Sequence, residues 1–384
     1  MVKRLLYEKA DWMLGKYPIV TITGPRQSGK TTFAQQLRPG YKYVSLEDPD
    51  NRSFALNDPR NFLETWQDGV ILDEVQYAPE LFSYLQTYTD QRKRNGEYIL
   101  TGSQNFLLME RISQSLAGRV AVFALLPFSF AELQSSEYAL SGWAEYLYRG
   151  AYPRQYTQDI PSASFYGDYL QTYIERDARQ VINVQNLTVF QRFMQLLAGR
   201  TGQLLNQQSL AIETGIDNKT VAAWLSVLET SYIIYRLPPY YNNFNKRVIK
   251  SPKVYFYDTG LAAYLLGLRS PDEAGVHFAR GPLFENLVIN EMMKKYFNQG
   301  ERQLFYFWND SQHYEIDLLF DEGLQRHAYE IKIGKTIQPQ FFEGLLHFKK
   351  TAPDTRLHLL YGGDVPQKRT DFEVHTFDEL FGCA

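Results

Sequence analysis

Short apolar runs punctuate the first third of the chain at residues 19–23, 41–46, 69–72 and 98–101, with helix-forming stretches between them. Strand-length runs that alternate with helical segments predict a mostly parallel sheet covered by helices on both faces. The rhythm then changes. Residues 204–228 read as helix, a turn at Gly215 and a second helix, with Val221, Leu225 and Leu228 on one face. Asp217 or Asn218 caps that second helix. Strand-like residues 233–237 and 254–257 follow. From residue 283 the pattern is a helix to 296, strands at 304–308, 314–320 and 327–333, a helix at 338–350 and a strand at 356–361. These shifts divide the chain into residues 1–158, 159–272 and 273–384.

The first apolar run leads into Gly24-Pro25-Arg26-Gln27-Ser28-Gly29-Lys30-Thr31-Thr32. This is G-x-x-x-x-G-K-[ST] in the context it requires, after a strand and before a helix. The glycines let the backbone turn its N–H groups toward one anion, and the helix N-terminus adds partial positive charge. Lys30 has the reach for β and γ phosphates, and the Thr31 hydroxyl is a candidate Mg²⁺ ligand. The spacing therefore implies binding of ATP with Mg²⁺. The third run ends in Asp73-Glu74, at the strand end where parallel sheets bind ligands. Asp73 suits a second Mg²⁺ contact and Glu74 the activation of a water; a helix cap is the bland alternative. After the fourth run, Ser103, Gln104 and Asn105 are all candidates for sensing the γ-phosphate, and a turn with a serine cap competes with them. Arg119, with Arg111 as a second choice, is a candidate arginine finger acting in cis or across a subunit boundary, against a surface ion pair.

These motifs, continued by Ile71-Leu72-Asp73-Glu74-Val75-Gln76, Ser115-Leu116-Ala117-Gly118-Arg119 and Leu126-Pro127-Phe128-Ser129-Phe130-Ala131-Glu132, resemble a family of prokaryotic AAA-superfamily ATP-binding proteins. Members of that family carry a C-terminal domain of unknown function. The resemblance runs nearly end to end, through Arg149-Gly150-Ala151-Tyr152-Pro153, the Arg176-Asp177 pair and Tyr257-Asp258-Thr259-Gly260-Leu261. It departs at Ala151, where the family carries a second glycine. Alanine accepts positive φ poorly, so this loop is expected to differ slightly.

The helix-turn-helix with its two strands has the pattern of a winged helix-turn-helix. Its loop holds Lys246, Arg247, Lys250 and Lys253 with no acidic residue, which suits a DNA backbone. Only Asn218, Lys219 and Ser226 offer polar readers on the second helix, which favours a packing module. The final αβββαβ order resembles the PD-(D/E)XK, or restriction-endonuclease-like, fold. The matching positions are Glu285 on the helix, Asp317 on the second strand, and Glu330 and Lys332 on one face of the third. Glu285, Asp317 and Glu330 are candidate ligands of a second metal, with Lys332 set to position a water or a phosphate oxygen. Glu315 is either an extra ligand or a salt-bridge partner. A fold used only for binding and a solvated ion cluster are the competing readings.

Composition narrows these readings modestly. Net charge is −3, so nucleic acid or an anionic surface could be held only by a local patch. Cys383 is the single cysteine, which excludes a disulfide framework and a cysteine zinc site. No apolar segment suggests a signal peptide or a bilayer span, so the chain is expected to be cytoplasmic and away from membranes. Aromatic residues reach 15%, which core packing explains more simply than base stacking. Two functions follow. One is an ATPase coupled through a winged helix to a nucleic-acid-associated, nuclease-like activity. The other is a regulatory or assembly ATPase whose C-terminal part binds DNA or a protein partner without cleavage. Either is expected to form a homo-oligomer. A small-molecule kinase is disfavoured by the acid pair and the lack of an evident acceptor lid.

Overall fold

The computed structural model describes residues 2–66, 68–103, 112, 114–174, 186–240 and 251–382. They divide into two compact units, one of Met1–Phe128 with Thr230–Tyr232 and Lys294–Arg302, the other of Ser129–Glu229, Ile233–Met293 and Gln303–Ala384. By their contacts, the stretches 159–272 and 273–384 thus fall largely within one unit.

The first unit is built on β1 (Ile19–Thr23), β2 (Lys42–Ser45), β3 (Val70–Asp73), β4 (Tyr98–Gly102) and β5 (Val120–Ala124). All neighbours run parallel in the order β2-β3-β4-β1-β5. Strand period two divides the buried side chains between two layers. Val20, Ile22, Ile71 and Ile99 pack with Leu6, Ala10 and Leu14 and with Phe33 and Leu37. Ile19, Val70, Leu72 and Leu100 pack on the other side with Phe62, Leu63, Leu81 and Leu85. The near-continuous apolar character of the strands is explained by this double cover.

In the second unit Asn206 caps helix Gln207–Thr214, and Gly215 ends it at φ 75°. Helix Asn218–Thr230 buries Val221, Trp224, Leu225, Val227 and Leu228. Asp217 accepts the Lys219 and Thr220 N–H groups at 2.8 and 2.9 Å, which makes it the cap. The antiparallel pair β6 (Ile234–Leu237) and β7 (Lys253–Phe256) follows. Lys246, Arg247 and Lys250 of the expected basic loop lie outside the described residues, as do Arg176 and Asp177. Lys253 does not belong to a solvated basic face. It is 5% exposed, because β7 turns it into the interior.

The C-terminal sheet consists of β8 (Tyr306–Asn309), β9 (Glu315–Glu322), β10 (Gln325–Lys332), β11 (Arg356–Tyr361), β12 (Gln367–Lys368) and β13 (Glu373–Thr376), ordered β12-β13-β11-β10-β9-β8. β8, β9 and β10 form an antiparallel meander, whereas β10, β11 and β13 are parallel. The crossover from β10 to β11 begins as a 3₁₀ turn at Pro339–Phe342 before helix Glu343–Thr351. A Cβ on Gly344 would lie 2.5 Å from the Glu315 carbonyl, so glycine permits the close approach of this helix to β9. β12, β13 and the closing helix Phe377–Phe381 have no counterpart in the apolar pattern. The four residues of β13 alternate polar and apolar, and pairing with β11 on one side and β12 on the other makes them a strand.

The substitution at Ala151 is absorbed without strain. The positive φ in this turn belongs to Gly150, at 70°, and Ala151 is not among the residues with positive φ. Ala151 donates its N–H to Asp258 Oδ2 at 2.8 Å. A Cβ on Gly150 would sit 1.9 Å from the Tyr166 hydroxyl and 2.4 Å from Asp258 Oδ1. Gly150→Ala is therefore expected to destabilise the second unit by about 2–5 kcal/mol through strain and overpacking. Ala151→Gly should cost under about 1 kcal/mol. Urea midpoints of the two variants check this contrast.

Candidate functional site

The loop between β1 and helix Lys30–Leu37 bends through Gly24 at φ 144°, Gln27 at 61° and Gly29 at 90°. Lys30 is buried and donates to the carbonyls of Gly24 and Pro25 at 3.1 and 2.7 Å. Burial pushes its pKa down to about 8, against the pull of Glu74 and Asp73. The buried Ser28 hydroxyl, facing no hydrogen-bond partner, adds an unused polar group to the loop. Positive-φ glycines, an unpartnered buried hydroxyl and a buried lysine fit a polyphosphate.

Asp73 ends β3 and is 8% exposed. Its carboxylate accepts Thr31 Oγ1 at 3.1 Å and the Tyr43 hydroxyl at 2.6 Å, and Thr101 Oγ1 from β4 donates to it as well. The hydroxyl–carboxylate pair Thr31–Asp73 is a donor set suited to Mg²⁺. Glu74 has φ 53°, a left-handed conformation that costs a non-glycine residue about 1–3 kcal/mol. Its Oε2 accepts the Ser103 N–H at 3.1 Å, the Ser103 hydroxyl at 3.0 Å and the Gln76 amide. Burial opposes ionisation of Glu74, but Lys30, Gln76 and the Ser103 N–H outweigh it and hold its pKa below the ordinary value. Lys30, Thr31, Asp73, Glu74 and Ser103 are thus brought together. Gln104, Asn105 and Arg111 lie outside the described residues.

Arg119 is not with them. It directly precedes β5, whose first residue pairs with Ile19, at the end of the sheet opposite the loop. Its guanidinium makes a two-point pair with Asp90 at 2.7 and 2.8 Å. The register of β5 therefore rules out a finger in cis. Gln76, Thr101 and Tyr43 escaped sequence reasoning. A signal existed for Thr101, a polar residue closing an apolar strand, but adjacency of β2 and β4 to β3 is a property of the sheet.

A second cluster forms in the other unit. Lys253 donates to Glu285 Oε1 at 3.1 Å, pairs with Glu315 and lies 3.9 Å from Asp317 Oδ1. Tyr255 also donates to Glu285. Lys332 reaches Glu330 Oε1 at 2.5 Å and Asp317 Oδ2 at 3.4 Å, and Asp317 accepts the Ile331 N–H at 2.8 Å. Burial raises the Glu285 and Glu330 pKa values, and the Asp317 charge adds to both. Asp317 itself stays low, because Lys332, Lys253 and the Ile331 N–H outweigh its burial. Burial works against the Lys253 cation, and the surrounding carboxylates overcome it. Among the described residues, Glu285, Asp317 and Glu330 do not bring their ligand atoms within 4.8 Å of one another, and Lys253 and Lys332 are paired with them. Lys253, read in the sequence as part of a basic loop, is the cation that the acidic residues share.

Residues 16–134 match the AAA domain family. They form a P-loop domain of the ATPase type. Residues 140–272 match a domain of unknown function (DUF8612), and residues 280–380 match another (DUF4143). Uncharacterized proteins of Mycobacterium tuberculosis and Mycobacterium bovis are each 28% identical over 357 residues, covering 91% of this chain and 78% of theirs. A Walker-type ATPase of Pyrococcus abyssi superposes at a TM-score of 0.45 with 16% identity, over 68% of this chain and 94% of its own. Among the described residues no helix is long and apolar enough to cross a membrane.

Phosphate binding needs Lys30 protonated, and a bound phosphate raises the lysine's pKa again. ATP binding should therefore take up a proton above about pH 8. Affinity is expected to hold below that pH and to fall by up to about tenfold per pH unit above it. Calorimetry in two buffers of different ionisation enthalpy reads the proton directly. In the other unit, Lys253→Met leaves Glu285 buried without its cation and should destabilise the fold by about 3–5 kcal/mol. A loss below about 1 kcal/mol in urea unfolding would place Lys253 with solvated surface charges instead.

Proposed function

We propose that the chain binds ATP with Mg²⁺ at the P-loop and hydrolyses it, and that nucleotide state switches its conformation or homo-oligomeric assembly. The carrying observation is that Asp73 holds the Thr31 hydroxyl while Glu74, beside it, is kept ionised and aimed by Ser103 and Gln76. Thr31 and Asp73 would hold the cation, which neutralises phosphate charge when bound. Lys30 would exchange its two loop carbonyls for phosphate oxygens. Glu74 would accept a proton from water, and Ser103 would keep its carboxylate oriented.

In this reading the helix pair Gln207–Thr214 and Asn218–Thr230 with β6 and β7 is a winged helix serving as a packing module. The C-terminal αβββαβ sheet is a restriction-endonuclease-like fold that binds a protein or DNA partner without cutting it. Lys253 supports this, since it saturates Glu285 where a metal-dependent nuclease needs an available carboxylate. One observation favours the cleaving alternative: Glu330 Oε2 is buried without a hydrogen-bond partner, beside Lys332.

Glu74→Gln should still bind ATP but lower hydrolysis at least about a hundredfold. Unchanged phosphate release in that variant would refute the assignment. Asp317→Asn should leave hydrolysis intact. If the wild-type chain cuts DNA or RNA with Mg²⁺ or Mn²⁺ and Asp317→Asn does not, the cleaving alternative replaces the partner-binding one.

A further inference from the structure

Three of the chain's six histidines form one row across the C-terminal sheet. His327 stands on β10, His358 on β11 and His375 on β13, which are neighbouring strands. Strand period two places His327 on the face opposite Glu330, so the row is separate from the lysine–carboxylate cluster. His327 Nδ1 lies 3.0 Å from His358 Nε2, and His358 Nδ1 lies 3.1 Å from His375 Nε2. Glu373 pairs with His358 in the β11–β13 register. Its Oε2 lies 3.7 Å from both His358 Nδ1 and His375 Nε2. Among the described residues this is the trio of ligand atoms that converges within 4.8 Å.

Those three distances define a small triangle, and the point equidistant from its corners lies about 2.0 Å from each. That is the length of a zinc–imidazole or zinc–carboxylate bond. The outer ring nitrogens are oriented as such a centre requires. His375 Nδ1 faces Glu379 Oε2 at 3.3 Å, and His358 Nε2 faces His327 Nδ1. Acceptors at the outer nitrogens hold the ring protons there and leave lone pairs on the inner pair. Stacking fixes the rings further, with Tyr329 against His358 at 4.2 Å between centroids. Glu373 is about half exposed, so the trio opens to solvent on one side.

We propose that His358 through Nδ1, His375 through Nε2 and the Glu373 carboxylate bind a divalent transition metal of the zinc class, leaving one position open to water. Two imidazoles and one carboxylate suit zinc, cobalt or nickel and not magnesium or calcium. The site does not rest on the nucleotide reading. Full-length protein stripped with a chelator and titrated with Zn²⁺ against a chromophoric competitor should take up one tightly held equivalent. Glu373→Gln, at the exposed edge, should weaken binding at least about tenfold, as should His375→Asn, and Glu379→Gln about tenfold. Arg236→Ala, an exposed residue of β6 paired with Glu229, should leave it unchanged. Co²⁺ in the wild-type chain should show the ligand-field absorption of a nitrogen–oxygen site, a readout that needs no variant to fold. Zn²⁺ uptake equal in wild type and His375→Asn, or a Co²⁺ spectrum matching the hydrated ion, would overturn the proposal.

Discussion

A carboxylate buried at the end of a parallel strand is tolerable only where hydrogen-bond donors meet it, and Asp73 is the point where that constraint organises the first unit. Three hydroxyls answer it, from the loop helix, from β2 and from β4. Each holds its own element in place, so satisfying one charge also aligns Thr31 with the strand that carries Glu74. The strained backbone of Glu74 persists in this frame because Ser103 and Gln76 hold its side chain from both sides. The nucleotide loop depends on the same order. Lys30 is pulled onto carbonyls of its own loop and opposed by burial, which leaves it a charge held at a cost that a phosphate would relieve.

The second unit solves a related problem differently. Glu285, Glu315, Asp317 and Glu330 are gathered by a helix and two strands, and hydroxyl donors alone would not offset that much negative charge. Two lysines enter instead, Lys332 from the same strand as Glu330 and Lys253 from β7. The balance is incomplete, since Glu285 and Glu330 remain raised by burial and by Asp317. Residues that match a metal-dependent pattern by type and order thus lie in a cluster whose charge two lysines partly offset. Residue type states what chemistry is available, and the neighbours decide how much of it is used.

Much of this was legible from local pattern. The glycine-rich loop, the double-covered strands, the capped helix pair and the meander all follow from short-range rules, because turn geometry and strand burial leave their mark on adjacent residues. Ser103 was legible as a polar residue closing an apolar strand, although its tie to Glu74 was not. Arg119, a candidate finger by position, is sent by the register of β5 to the end of the sheet opposite the nucleotide loop, where it pairs with Asp90, so it is not a finger in cis. β13 was invisible, since so short a run of alternating polarity becomes a strand only between β11 and β12.

The amino-acid sequence by itself determined the nucleotide loop, Asp73-Glu74, the order of the elements marked by its apolar runs and the residue types available to carry charge. Those features depend on neighbours in the chain, within the reach of one turn, one strand or one helix. Tertiary structure alone decided which charges meet. It brought Lys253 to Glu285 across 32 positions and aligned His327, His358 and His375 on three adjoining strands. The physical reason is that sheet order and strand register set side chains side by side without regard to their separation in the chain.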